Sequence, residues 1–466
     1  MKIRPYIYFA TLLTGILISS SVSASVKLPA LFTDNMVLQR ESIVPVWGWA
    51  NPDESIKVSP SWLEEPVLVQ SNSRGEWRAL IQTPQAGGPY TMSIEEKDLA
   101  TINNILIGEV WLLSGQSNME MPLKGYKSQP VTGGNDAIVR ANSDRIRIIT
   151  VPRNGLLDPA NDFEGKWELA EPNTVSDFSA IGWFYADYLV NALEVPVGLI
   201  ESAYGGSNIQ AWMSEKMLED FSEIQIPQST QDIDQENRTA TLLYNAMLKP
   251  ILGYGIRGVL WYQGESNVIN PSNYEELLVK MVDSWRKEWG QNSLDFYFAQ
   301  IAPYHYRRYI YNQLVGENNG ALLREAQRKA ALRIPDGGMV VLMDVGEQFN
   351  IHPPKKMEVA ARFAYLALAE TYGFEGFEFR SPEIDQLSVN GKELTLTFKF
   401  APNGLVLVDP SFYEANTLVK GNKVVFSSSY VNNPVAIRYA QKNFSAGTLF
   451  SSGGLPVSSF KTDNWD

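Results

Sequence analysis

The stretch Gly108-Glu-Val-Trp-Leu-Leu-Ser-Gly-Gln-Ser-Asn-Met-Glu120 decides how the rest of the chain is read. Residues 110–113 are an apolar run of strand length, and the run stops at Gly115-Gln-Ser-Asn118. Glycine allows a tight turn at that point, which leaves the Ser117 hydroxyl at the carboxyl end of the strand. An unassisted serine is a poor nucleophile at neutral pH, so a catalytic Ser117 needs a base and oxyanion donors from elsewhere in the chain.

Downstream, apolar strand segments at 146–151, 197–201, 258–262, 296–301 and 339–343 alternate with helical segments at 184–193, 274–288, 322–332 and 355–372. Strand and helix in turn predict an α/β domain over 106–373. Its parallel sheet would be covered on both faces, with the site at the carboxyl ends of the strands. Residues 25–105 carry short alternating segments at 43–49, 55–60, 67–70, 77–82 and 90–95, which predict a small β-sandwich with Trp47 and Trp77 in its core. From 374 to 466 alternation returns, as in Leu394-Thr-Leu-Thr-Phe-Lys-Phe400. This C-terminal β-region either stands alone or completes the first β-domain.

Residues 1–24 have the layout of a cleaved secretory signal, with Lys2 and Arg4 before an apolar centre over 8–18 and the small-residue site Val22-Ser-Ala24. The apolar run falls short of the ~20 residues that span a bilayer, so a soluble chain, secreted or periplasmic, is expected. A length of 466 residues implies more than one domain. The chain has no cysteine, which removes disulfides, thiolate nucleophiles and cysteine-ligated zinc together. The net charge of −13 becomes −15 without Lys2 and Arg4. Nucleic acid and anionic membranes are then poor partners, because a protein binds them by bringing Lys and Arg, and a polar, neutral ligand suits the balance better.

The base is sought among two histidines, His305 and His352. His305 lies in the aromatic, basic loop Tyr304-His-Tyr-Arg-Arg-Tyr309, which reads as a ligand-binding wall or as surface packing. His352 follows a predicted strand and precedes Pro353 and a helix, which puts it on the same sheet edge as Ser117. A serine hydrolase also needs a group that holds the imidazole in the right tautomer, and Asp344 or Glu347 is within loop reach. Two further strand ends carry glycine and small polar residues. Gly205 and Gly206 let backbone N–H groups approach a ligand, and Gln263, Glu265 and Asn267 end the strand at 258–262. The match Gly253-Tyr-Gly-Ile-Arg-Gly258 to a dinucleotide motif fails, because it precedes a strand instead of following one. Gly115-Gln-Ser-Asn-Met119 is not the nucleophile elbow G-x-S-x-G, which argues against an ordinary α/β-hydrolase. Two distant histidines give no metal cluster.

Taken together, Gly108-Glu-Val-Trp111, Gly115-Gln-Ser-Asn-Met119, Tyr204-Gly-Gly206, Trp261-Tyr-Gln-Gly-Glu-Ser-Asn267, Leu323-Arg-Glu-Ala-Gln327 and Ile351-His-Pro353 resemble the sialate O-acetylesterase family, carbohydrate esterases of the SGNH-hydrolase type. The resemblance extends to Asn35-Met-Val-Leu-Gln-Arg40 and to Gly454-Leu-Pro456 with Phe460. It implies a flavodoxin-like, three-layer central domain with β-regions around it, no cofactor, Ser117 as nucleophile and His352 as base. The implied oxyanion donors are the Ser117 N–H, a glycine of the Gly205-Gly206 pair and the side chain of Gln263 or Asn267. Gln116, Asn118 and Glu265 are expected to contact the substrate. One position departs: where the family commonly has an aspartate two residues before the histidine, this chain has Asn350. An amide can accept a hydrogen bond but offers no full charge to an imidazolium, so Asp344 or Glu347 would substitute, or a weaker dyad would operate. The resulting expectation is a secreted carbohydrate O-acetylesterase acting on sialic acid or plant-type glycans. The alternatives are an acetylxylan or pectin acetylesterase, or a glycan-binding protein without activity.

Overall fold

The computed structural model describes residues 26–307, 309–310, 313–408 and 415–465. The expected leader lies outside them.

Six parallel strands build the central sheet: β1 (Leu99–Gly115), β2 (Ser143–Thr150), β3 (Val197–Ala203), β4 (Gly258–Tyr262), β5 (Asp295–Ala299) and β6 (Gly337–Val340), in the order β6-β5-β4-β1-β3-β2. The short strand Glu168–Ala170 pairs antiparallel to β2 at the edge. Four helices cover the sheet: α1 (Ala180–Leu193), α2 (Tyr274–Trp289), α3 (Asn319–Arg333) and α4 (Lys356–Glu370). The period-2 pattern of β1 decides which face each side chain serves. Trp111 and Leu113 pack with α1 and α4, whereas Val110 and Leu112 belong to the core shared with α2 and α3. Continuously apolar strands follow from this, because both faces are covered. After β1 the chain winds to one side through β2 and β3 and then returns to lay β4 against the other side of β1. The reversal opens a crevice at the carboxyl end of β1, where ligands bind in sheets of this kind.

The expected boundary between 105 and 106 falls inside β1, which runs unbroken for 17 residues. Its first half pairs with Gly87–Glu95 and its second half with β3 and β4. The N-terminal strands Ile43–Trp49 and Glu76–Gln82 form one antiparallel pair, and Ser55–Pro60 joins Val67–Gln70 and Gly87–Glu95 in another group. Their inward residues, such as Val46, Ile81, Ile56 and Ile94, share one core with Trp261 and α2. The region is therefore not a free-standing sandwich. Gly108 is the one turn-prone residue in 105–113, and it stays in the strand, paired with Gln39 and with the Pro196 carbonyl 2.0 Å from where a Cβ would stand.

In the C-terminal region Glu383–Asn390, Glu393–Lys399, Lys423–Ser427 and Asn416–Lys420 make a four-stranded antiparallel sheet with its own core around Leu396, Phe398 and Phe426. Among the described residues these strands pair with one another and not with the N-terminal group. No helix among the described residues is long and apolar enough to cross a membrane.

Candidate active site

Gly115 ends β1 between two other strand ends, aligned with Ala203 of β3 on one side and Tyr262 of β4 on the other. Its φ of +133° and the Tyr262 carbonyl, 2.2 Å from where a Cβ would stand, exclude any side chain. The backbone then turns into the short helix Ser117–Glu120, whose Met119 and Glu120 N–H groups bond back to the Gln116 carbonyl at 2.8 and 3.0 Å. Ser117 is left half-buried in the crevice, with the loops after β3 and β4 on its two sides.

His352 arrives from the loop between β6 and α4. Its Nε2 lies 2.7 Å from Ser117 Oγ. The backbone N–H of His352 donates to Asn350 Oδ1 at 3.1 Å, so the residue that departs from the family pattern shapes the loop and does not meet the ring. Neither expected acid meets it either. Asp344 is clamped by Arg362, whose Nη1 and Nη2 donate to its two carboxylate oxygens at 2.8 and 2.6 Å. Glu347 accepts from Asn350 Nδ2 at 3.3 Å. Asp344 is turned away because a bidentate arginine two turns along α4 outcompetes a neutral imidazole for it. The partner of His352 Nδ1 is Gln129 Oε1, at 2.7 Å. No feature of the sequence singled out Gln129, a polar residue in a loop. Burial holds the imidazole down to about 4, with the Lys356 charge pushing the same way.

The expected oxyanion donors separate when their hydrogen bonds are counted. Gln263 is fully buried, and its Nε2 already faces three acceptors: Gln116 Oε1 at 3.2 Å, the Ser207 carbonyl at 2.8 Å and Asn267 Oδ1 at 2.8 Å. An amide has two N–H bonds, so nothing is left for a ligand. Among the described residues Asn267 Nδ2 donates only to Gln210 Oε1, at 3.0 Å, and keeps one N–H uncommitted. Gly205 donates its N–H to Glu120 Oε2 at 2.8 Å. A Cβ built on Gly205 would stand 3.3 Å from Ser117 Cβ, so this turn lies against Ser117. Gly206, in the left-handed region at φ +74°, has no partner for its N–H among the described residues, nor has Ser117 at the start of its helix.

Gln116, Asn118 and Glu265, expected to touch substrate, are instead buried and bonded to the protein itself. Gln116 Oε1 accepts from the Gly264 and Ser266 N–H groups at 3.1 and 3.3 Å and so ties the serine turn to the loop after β4. Asn118 Nδ2 donates to Glu265 Oε1 at 2.6 Å and to the Ile351 carbonyl at 3.0 Å, while its Oδ1 accepts from Lys356 Nζ at 2.5 Å. This chain runs from the serine helix to the histidine loop and fixes one against the other. Burial pushes Lys356 down to about 7, against the opposing Glu265 charge, and pushes the Glu265 carboxyl up. Polar residues beside a candidate nucleophile are as well suited to scaffolding as to ligand contact.

Arg153, at the rim of the crevice, is paired with Glu120 and lies 5.5 Å over the Tyr204 ring. His305 is exposed and faces Phe349 at 6.3 Å. Arg308 lies outside the described residues. Among the described residues no group of three or more His, Cys, Asp or Glu side chains is placed to hold a metal ion.

Comparison with known proteins adds to this geometry. A family model described as carbohydrate esterase, sialic acid-specific acetylesterase, matches residues 107–352. The chain is 25% identical to mouse (Mus musculus) sialate O-acetylesterase over 444 residues, covering 82% of this chain and 80% of the relative. It is also 25% identical to the human (Homo sapiens) sialate O-acetylesterase over 418 residues, covering 81% of this chain and 77% of that protein. Among solved structures, a carbohydrate acetylesterase from Xanthomonas citri superimposes with a TM-score of 0.83 at 32% identity, covering 95% of this chain and all of that one.

Proposed function

Because the chain belongs to the carbohydrate esterase family of sialic acid-specific acetylesterases, and is thereby a carboxylic ester hydrolase, we propose that it removes O-acetyl groups from sugars through an acetyl-enzyme on Ser117. What carries this reading is the 2.7 Å contact between Ser117 Oγ and His352 Nε2. Neutral Nε2 takes the hydroxyl proton as Oγ bonds to the acetyl carbon. The carbonyl oxygen becomes an oxyanion, received by the Ser117 and Gly206 N–H groups and the uncommitted N–H of Asn267. As the intermediate collapses, Nε2–H gives its proton to the departing sugar oxygen. Water, deprotonated by the same nitrogen, then attacks the acetyl group and releases acetate, restoring Ser117.

An uncharged sugar ester fits the site best, since Arg153 is already committed to Glu120 and the chain as a whole is acidic. The secretory layout of residues 1–24 supports export to where such glycans are met. Acid quenching during turnover of an activated acetyl ester is expected to leave one acetyl group on the peptide that contains Ser117. An acetyl group found only on another residue overturns the mechanism. Acetate release from a panel of acetylated xylans, pectins and sialosides identifies the glycan, and binding without release would make the protein a glycan binder.

The pH profile follows from the burial of the histidine. The base works only as neutral imidazole, which here persists down to about 4 instead of the ordinary 6.5. The acid limb of kcat/KM on a neutral ester is therefore expected near pH 4, with activity lost as pH falls through it. A limb near 6.5 would show the ring to be solvated or paired with a carboxylate.

A further inference from the structure

We propose that Gln129 is the third member of the catalytic constellation, a positioning residue that holds His352 in the tautomer able to accept the Ser117 proton, in place of a carboxylate. The proposal rests on the Ser117–His352 reading above. Gln129 Oε1 lies 2.7 Å from Nδ1, and only an acceptor there leaves the ring proton on Nδ1 and the lone pair on Nε2. A donor would reverse the tautomer and present an N–H to the Ser117 hydroxyl.

The turn that carries Gln129 is built for the contact. Tyr126 and Gln129 exchange both backbone hydrogen bonds, each at 3.0 Å, closing a two-residue loop with Ser128 in the left-handed region at φ +62°. Gly125, at φ +80°, admits the Gln129 carbonyl to within 2.5 Å of where a Cβ would stand, so only glycine allows the turn to close. The same turn reaches both partners: the Tyr126 ring meets the imidazole edge-on at 5.2 Å, and the Tyr126 hydroxyl donates to the Ser117 carbonyl at 3.3 Å. Beyond it, the Thr132 N–H donates to the Pro354 carbonyl at 2.9 Å, which ties this segment to the histidine loop.

A neutral partner has a chemical consequence. A carboxylate would stabilise the imidazolium and raise the basicity of Nε2, whereas an amide orients the ring without adding charge. The charged groups near the ring are Lys356 at the start of α4, Glu265 behind Asn118, Glu120 with Arg153 behind Tyr126, and Glu347 beside Asn350. The carboxylates among them each bond to a group other than the imidazole.

The test uses the full chain with wild type, Ser117→Ala, Gln129→Met and Gln129→Glu, assayed on a soluble acetyl ester across pH. Loss of all activity in Ser117→Ala establishes the nucleophile independently, so its persistence would defeat the mechanism rather than this inference. Gln129→Met keeps the chain length and removes the acceptor. Its kcat is expected to fall about 10²-fold with KM nearly unchanged, the scale of a misplaced catalytic group. Gln129→Glu restores an acceptor and adds a charge, so activity near neutral pH is expected to recover and the acid limb to move to higher pH. Wild-type kcat in Gln129→Met, a loss confined to KM, or an acid limb unmoved in Gln129→Glu overturns the assignment. Should Gln129→Met fold poorly, the shift of the limb in Gln129→Glu still decides.

Discussion

Replacing Ser117 by alanine is expected to lower kcat for an acetyl ester on the order of a million-fold, with His352→Ala costing about as much and the double variant no more than either alone. In the proposed mechanism the two side chains act on one proton, so removing either removes the whole transfer and their effects do not add. Little of the loss should come from unfolding. The Ser117 hydroxyl bonds only to His352 Nε2 among the described residues, and the turn around it is held by backbone and by Gln116. Circular dichroism and the thermal midpoint should match wild type. Substantial activity in Ser117→Ala would mean that another nucleophile, or a water activated directly by His352, does the chemistry. Doubled losses in the double variant would mean that serine and histidine contribute separately.

The largest expected effect on stability comes from Arg324, a buried cation with no carboxylate against it among the described residues. It lies on α3, fully buried, and its N–H groups reach Ser459 Oγ at 3.0 Å and the carbonyls of Asn443, Ala440 and Lys442 at 3.2, 3.3 and 2.7 Å. Burial lowers it to about 10, which still leaves it charged at neutral pH. These contacts fasten the C-terminal segment to the α/β domain, with help from Gln300 Nε2 donating to Ser458 Oγ at 2.7 Å. Arg324→Met keeps the apolar stem but strands the acceptors without water. A buried acceptor left unsatisfied costs ~1–3 kcal/mol, so a loss of about 3 kcal/mol or more is expected after the relief of the arginine's own desolvation. The measurement is chemical denaturation together with limited proteolysis. The midpoint should fall, and residues 434–461 should be cut before the central domain. An unchanged midpoint with an uncut C-terminal segment would show that the apolar contacts around Phe460 suffice to hold it.

How much of this was legible in the sequence depends on the range of the interaction. Strand and helix positions in the centre follow from local periodicity. The segment expected over 258–262 is the strand Gly258–Tyr262, and 274–288 lies within the helix Tyr274–Trp289. The family was legible too, because its motifs are short runs at strand ends, and the comparisons return the same family. The N-terminal boundary is hard to read for a reason that is also local. The change of texture at 105 suggests a joint, whereas the apolar run through it is one strand serving two parts of the core. Chemical neighbourhood was the hardest to read. Loop reach alone offers Asp344 and Glu347 to the imidazole, and a competing arginine from α4 settles where Asp344 goes. Gln263 and Asn267 were equivalent in sequence. They differ only in how many of their N–H bonds the fold consumes.

The sequence by itself determined the alternation of strand and helix, the absence of thiol chemistry and the choice of serine and histidine as the groups worth bringing together, since these depend on residue type and near neighbours. The tertiary structure alone decided that positions 117 and 352 stand 2.7 Å apart and that an amide from position 129 occupies the far side of the ring. Contacts across more than two hundred residues are set by sheet order and loop packing, and no local pattern encodes which of several polar side chains a buried imidazole will meet.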